Sequence, residues 1–220
     1  VYLFARVVAE RKNNRNWNRI LNAHIFQGLR EGIFLFVITI WVYIVTQSEL
    51  ALGMFNLYFS GFSFVFYFLA TKFIKPSKRK KAILLGSLML FLALFIIIFH
   101  ASYATLIIYG IIIGIAYPIV NVPYLSMTFD VIGKAWKAGE LRIEYIVVRE
   151  LFSNIGRVTS IITFIISISL FDSEKIIPIL LIIFGSMHLG VYIFVRNIFL
   201  TGTNKKDVLI KDQVTDEKNR

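Results

Sequence analysis

The chain contains no cysteine. That excludes a disulfide framework, a zinc–thiolate site and thiol chemistry. Charge is also scarce, with only 17% of the 220 residues being Asp, Glu, Lys or Arg. Typical globular chains carry about 25%, so too little polar sequence is available to coat a soluble core. Acidic residues are rarest, 13 against 24 Lys and Arg, giving a formal net charge of +11. In a water-soluble chain that excess points to nucleic acid. Here the basic residues fall between apolar blocks, so membrane topology is tested first and nucleic acid is not expected as a partner. No P-loop is present, so no ATP coupling is encoded. His24, His100 and His188 are scattered without metal-ligand spacing. No Ser–His or paired-Glu constellation marks a membrane protease or transferase. The expectation is therefore no enzyme, no cofactor and no metal. The opening "VYLFARVVAERKNN" has neither an initiator Met nor a signal-peptide pattern, so residue 1 reads as a cut through a longer protein.

What the chain has is hydrocarbon: 57% hydrophobic residues and a mean hydropathy of +0.72. A membrane-spanning helix needs ~20 apolar residues to cross ~30 Å of hydrocarbon. Six segments qualify: 28–46, 50–70, 82–99, 104–125, 145–170 and 176–195. They are long and continuously apolar, unlike the ~10-residue alternating strands of a barrel. Inside lipid a helix satisfies its own backbone, so all six are expected to be helical despite many Ile and Val residues. The expected organisation is an all-α six-helix bundle over 28–198. Before it, residues 1–27 would be the end of a preceding helix and a cytoplasmic linker. After it, 199–220 would be a disordered cytoplasmic tail.

The basic residues orient the bundle. Setting aside Arg157, which falls within a span, 22 of the remaining Lys and Arg lie on one side and Lys175 alone on the other. The positive-inside rule places the basic side, with both termini, in the cytoplasm of a multi-pass protein of the bacterial inner (plasma) membrane. The outer connections are short, so the spans pair as tight hairpins. The longer inner loop Ser126–Glu144 carries Phe129, Ile132, Ala135 and Trp136 near helical spacing, which predicts a short amphipathic interfacial helix.

The fifth span begins "VVRELFSNIGRVTS" and keeps three ionisable groups. Counting back from Leu170 at 1.5 Å per residue, Arg149 and Glu150 fall at the inner edge and Arg157 ~20 Å below the outer one. The first two read as interface charges. Arg157 is the costly one, at least ~2–3 kcal/mol at depth. Snorkelling toward the cytoplasm and a role in a water-filled path are the two explanations. Glu150, Ser153, Asn154, Arg157 and Ser160 lie on or near one stripe, which must face protein or water. Side chains lean toward the helix N-terminus, so Glu150 leans away from Arg157 and a pair within the helix is not expected. A partner from another span is; Tyr117 and Asn121 of the fourth span lie at its depth. The fourth span also holds Gly110, Gly114 and Pro118, read either as small-residue packing or as a bending element. Asn56 of the second span is a cavity candidate or an interhelical hydrogen-bonding group. Arg30 and Glu31 in "GLREG" are placed at the inner interface, as anchors or gate charges.

The arrangement resembles the C-terminal half of a major facilitator superfamily transporter, across about residues 20–198. The features that carry the likeness are the six spans, the basic loop "ATKFIKPSKRKKAILLG" and the long inner loop after the fourth span. The loop keeps the basic cluster Lys78, Arg79, Lys80 and Lys81 of the family's signature but lacks its glycine and acidic residue. "RELFSNIGR" is similar to the charged entry of the family's helix eleven, with Glu150 and Arg157 spaced as in some sugar porters. The resemblance implies half of a twelve-helix fold. It also implies a secondary transporter of a small solute working by alternating access against an N-terminal six-helix half, with proton-coupled efflux as one form. On that reading Arg157, Asn154, Tyr117, Asn121 and Asn56 line the substrate path, and Arg30, Glu31, Arg149, Glu150, Lys78 and Arg79 serve gates or interfaces. The alternative is a six-helix scaffold or channel-like oligomer with no transport cycle. The partners expected are the bilayer, the second half and a small-molecule substrate.

Overall fold

The computed structural model describes residues 3–100 and 102–198, so the expected tail at 199–220 lies outside the described residues. Among these residues the chain forms helices and turns and no strand. A short helix α1 (Phe4–Ala9) leads through a 3-10 turn into α2 (Arg15–Thr46). There follow α3 (Glu49–Phe73), α4 (Arg79–Phe99), α5 (Tyr103–Gly133), α6 (Arg142–Leu170), α7 (Ser173–Gly185) and α8 (Met187–Val195). Six spans, with α7 and α8 sharing the last, are long and apolar enough to cross a membrane.

The local sequence sets the helix ends. Asn14 caps α2, its side chain accepting from the Trp17 N–H at 3.0 Å. Ser48 caps α3, and Ser102 forms a capping box with Thr105 at the start of α5. Gln47 takes the left-handed conformation (φ 48°) that ends α2, so the turn to α3 needs only two residues.

Two boundaries differ from expectation. The first span begins at Arg15, not near residue 28, because Asn16, Asn18, Asn22, His24 and Gln27 dilute the hydropathy of a segment that is helical throughout. Its Trp17, Ile20 and Leu21 are fully buried, and the Trp17 indole donates to the Val7 carbonyl at 3.1 Å. The other difference is the amphipathic helix expected within Ser126–Glu144, which is not a separate element. Residues 126–133 continue α5, and a turn leads from there into α6 at Arg142. Pro118 and Pro123 both sit inside α5 without ending it.

Helix α2 packs along α6, α5 packs on α3 and α4, and α8 lies against α2 and α4. Gly110 and Gly114 serve the α3–α5 contact: a Cβ on Gly114 would stand 2.8 Å from the Phe59 carbonyl oxygen, and one on Gly110 would meet the Phe55 ring. The packing reading of these glycines therefore accounts for them. Two apolar cores result. One, at the basic end, gathers Trp17, Tyr124, Tyr145 and Val191; the other, toward the opposite end, gathers Phe34, Leu94, Tyr109 and Leu181. A polar layer lies between them.

Burial is uneven. Half of the most apolar stretch of α2 is covered by the bundle, against 22% for α6 and 6% for α3. Helices α3 and α6 are therefore the ones that need lipid or a second protein body against them.

Candidate functional site

The polar layer is assembled where α2 and α6 touch. Gly28 and Gly32 are one turn apart on α2, and Gly156 and Ser160 are one turn apart on α6. A Cβ on Gly156 would overlap the Ile25 carbonyl and stand 2.8 Å from the Leu29 nitrogen; one on Gly32 would stand 2.6 Å from the Arg157 carbonyl. Only glycine lets the backbones approach this closely, the small-xxx-small device of membrane helices. The approach puts Arg157 directly opposite Glu31.

Arg157 uses its whole guanidinium fork. Its Nη2 and Nε donate to Glu31 Oε2 at 2.8 and 3.2 Å. Its Nη1 donates to Glu150 Oε1 at 2.9 Å and to Asn154 Oδ1 at 2.7 Å. Glu31 is equally engaged, its Oε1 accepting from the Tyr117 hydroxyl at 2.9 Å and from Gln27 Nε2 at 2.7 Å. Arg149 Nη2 donates to Glu150 Oε2 at 3.2 Å. Two arginines thus face two carboxylates across α2 and α6, with α5 contributing Tyr117. The three central residues share one level: Arg157 lies 13 residues before Leu170, Glu31 15 before Thr46, and Tyr117 14 after Tyr103. The Glu31 side chain is 11% exposed, that of Arg157 33% and that of Glu150 44%, so the cluster is closed behind and open on one face.

Three sequence expectations change here. The partner of Arg157 is Glu31, which the late start assigned to the first span had put at the interface; it sits midway along α2 instead. Glu150 does pair with Arg157 within α6. The seven-residue separation places both on one face, and the long arginine side chain reaches back toward the helix N-terminus to close the gap. Tyr117 belongs to the cluster but through Glu31, and Asn121 belongs elsewhere, donating to the Tyr67 hydroxyl at 3.0 Å to join α5 to α3.

The remaining candidates are dispersed. Asn56 is exposed on α3 and takes no part in the cluster. Arg79 donates to Asp130 at 2.5 Å, linking the basic ends of α4 and α5. Lys78 lies at the rim of a groove of about 770 Å³ lined by Phe66, Phe73, Lys81 and Leu85. Arg30 is buried, with its guanidinium stacked on the Phe34 ring, 4.4 Å from the centroid. Sequence reasoning passed over Gln27, and over Gly28, Gly32 and Gly156 as packing elements. The G-x-x-x-G spacing of "GLREG" was the signal that could have revealed the crossing. His24 lies against the Tyr124 hydroxyl and the Ile20 carbonyl, a structural contact between α2 and α5. Among the described residues no group of three His, Asp or Glu is placed to hold a metal.

No family model matches the chain, and no solved structure matches it significantly. It is similar to the uncharacterized protein YqgE of Bacillus subtilis (strain 168), 51% identical over 197 residues. The match covers 90% of this chain but 46% of that relative, so the chain spans about half the length of the curated relative it matches.

Proposed function

We propose that this chain is the C-terminal six-helix half of a secondary transporter, moving a small solute across a bacterial plasma membrane by alternating access. The observation that carries the reading is the Arg157–Glu31–Glu150 cluster. Charges at mid-span are expensive in lipid and mark water-filled or mobile paths. Here they bridge two helices, are a third exposed on one face, and take a hydroxyl from a third helix. Helix α6, which carries Arg157, is among the least covered, and that face suits a second six-helix body. The relative's length leaves room for such a body. With the basic end in the cytoplasm, rocking of the two halves exposes the cluster to each side in turn.

The test is made on the full-length protein in proteoliposomes, challenged with a panel of small solutes, with solute flux and internal pH read together. At least one solute is expected to move, and Arg157→Ala is expected to stop it while membrane insertion is preserved. No moved solute, or wild-type flux in Arg157→Ala, overturns the reading. Flux that never saturates supports a channel-like assembly instead.

A further inference from the structure

The connection between α3 and α4 carries more positive charge than the fold uses. Residues 72–81 include Lys72, Lys75, Lys78, Arg79, Lys80 and Lys81 and no acidic residue. Two of these serve the bundle: Arg79 pairs with Asp130 of α5, and Lys80 donates to the Arg196 carbonyl at 2.8 Å. Lys72 lies against the Phe68 and Phe73 rings. Lys78 and Lys81 do none of this. Both are exposed, and neither makes an ion pair or a hydrogen bond among the described residues. They stand three residues apart where α4 begins, a spacing that puts two side chains on one side of a helix.

Both lysines line the groove of about 770 Å³ between α3, α4 and α5, a volume within the range of about 300–1,000 Å³ that holds small organic ligands. The rest of its wall is mainly apolar and includes Phe66 and Phe73 of α3, Leu85 of α4 and Ile119 of α5. Phe73 and Leu85 are 64% and 56% exposed. Phe66 is two turns up α3 from Phe73, about 10 Å further into the hydrocarbon. Leu85 is one turn beyond Lys81 on α4, about 6 Å further in. The groove is therefore charged at headgroup level and apolar below it. A phospholipid has the same polarity at the same depth. A zwitterionic headgroup brings a cation of its own toward the lysines, whereas an anionic one does not. None of the lining residues belongs to α2 or α6, so the groove is separate from the Arg157 cluster.

We propose that this groove binds an anionic phospholipid, its phosphate held by Lys78 and Lys81 and an acyl chain lying along Phe66, Phe73 and Leu85. Basic pockets between spans on the cytoplasmic side suit anionic headgroups in this way. The lipid neutralises a run of like charges and ties the end of α3 to the start of α4. The site rests on the six-span reading and not on transport.

The full-length protein, stripped of lipid in a neutral detergent, is melted with phosphatidylglycerol, with phosphatidylcholine of the same acyl chains, or with glycerol 3-phosphate. Phosphatidylglycerol is expected to raise the melting temperature by several degrees, with a saturable dependence on its mole fraction. Phosphatidylcholine lacks the net charge and glycerol 3-phosphate lacks the chains, so neither should do so. The double variant Lys78→Gln, Lys81→Gln should need about thirtyfold more phosphatidylglycerol, about fivefold for each lysine. Both side chains are exposed, so in phosphatidylcholine it should melt like the parent. The double variant Arg11→Gln, Lys12→Gln removes two exposed charges elsewhere on the basic side and should leave the titration unchanged. No gain from phosphatidylglycerol overturns the site, and is the result if the second half of the protein fills the groove. An equal gain from phosphatidylcholine, or an unchanged titration in the lysine variant, also overturns it. So does a gain matched by glycerol 3-phosphate, which would mean an anion site without a lipid. Equal losses in the two double variants would overturn it too, by showing diffuse attraction to a basic surface.

Discussion

Arg157 and Glu31 are 126 residues apart in the chain and 2.8 Å apart in space. They meet because Gly28, Gly32 and Gly156 let α2 and α6 touch backbone to backbone. The ion pair and the glycine contact are one feature: the glycines set the distance, and the charges fix the register of the crossing.

Removing both charges should therefore cost less than the sum of removing each alone. Glu31→Gln alone leaves Arg157 with half of its acceptors, and Arg157→Gln alone leaves the poorly exposed Glu31 carboxylate with Tyr117 and Gln27. Breaking a buried pair typically costs about 3–5 kcal/mol, less for a partly exposed one. The double variant should recover roughly 0.5–3 kcal/mol relative to the sum of the singles. Unfolding of the four proteins in mild detergent measures this coupling. Strict additivity would show that the two groups do not act as a pair.

The glycine contact makes its own prediction. Gly156→Ala pushes a methyl into the Ile25 carbonyl and should lower the melting temperature markedly, by an amount corresponding to about 1–3 kcal/mol of overpacking. Gly53→Ala, also in a helix but with nothing near its Cβ, should be neutral or stabilising by roughly 0.5–1 kcal/mol. Equal effects at both positions would mean that α2 and α6 are not in backbone contact.

Much of this architecture was legible in the sequence. The six apolar blocks and the basic loops sufficed for an all-α bundle, because lipid leaves the backbone few other options. Arg157 stood out because a charge amid Ile and Phe has to be explained. Its partner was hidden by a boundary error. Hydropathy places a helix start where polar residues thin out, whereas Asn14 caps α2 well before that, and the shift moved Glu31 from mid-span to the edge. The burial of Arg30 was hidden for the same reason. Tyr117 and Asn121 are one turn apart and share a face of α5, so which of them joins the cluster depends on the height of α5 beside α2, and counting residues from the helix ends does not fix that height to within a turn.

The link between Arg79 and Asp130 should matter little to stability. The Asp130 side chain is 45% exposed, and such surface pairs contribute about 0–1 kcal/mol. Asp130→Asn should shift the melting temperature by no more than a degree or two, and less in high salt. A large loss would indicate that the basic ends of α4 and α5 hold the bundle together.

Orientation can be read with cysteine, since the chain has none of its own. Gly139→Cys lies on the basic side in an exposed turn, and Lys175→Cys on the opposite side at an 85% exposed position. In intact cells a membrane-impermeant maleimide should label Cys at 175 and reach 139 only after permeabilisation. The reverse pattern would invert the topology and the direction of every step proposed from it.

Introduced cysteines also test whether water reaches the cluster. Asn154 and Ile155 are adjacent on α6 and both exposed, but they face different ways: Asn154 is bonded to Arg157, and Ile155 continues the apolar surface with Leu151, Val158 and Ile162. A thiol reacts as its thiolate, which forms in water and not in hydrocarbon. In the full-length protein, Asn154→Cys should react with a small charged thiosulfonate at least tenfold faster than Ile155→Cys. A solute that occupies the path should slow only the first. If both positions stayed inert, the polar stripe would be sealed against protein, and Arg157 would be a structural pair holding α2 to α6 and not part of a path.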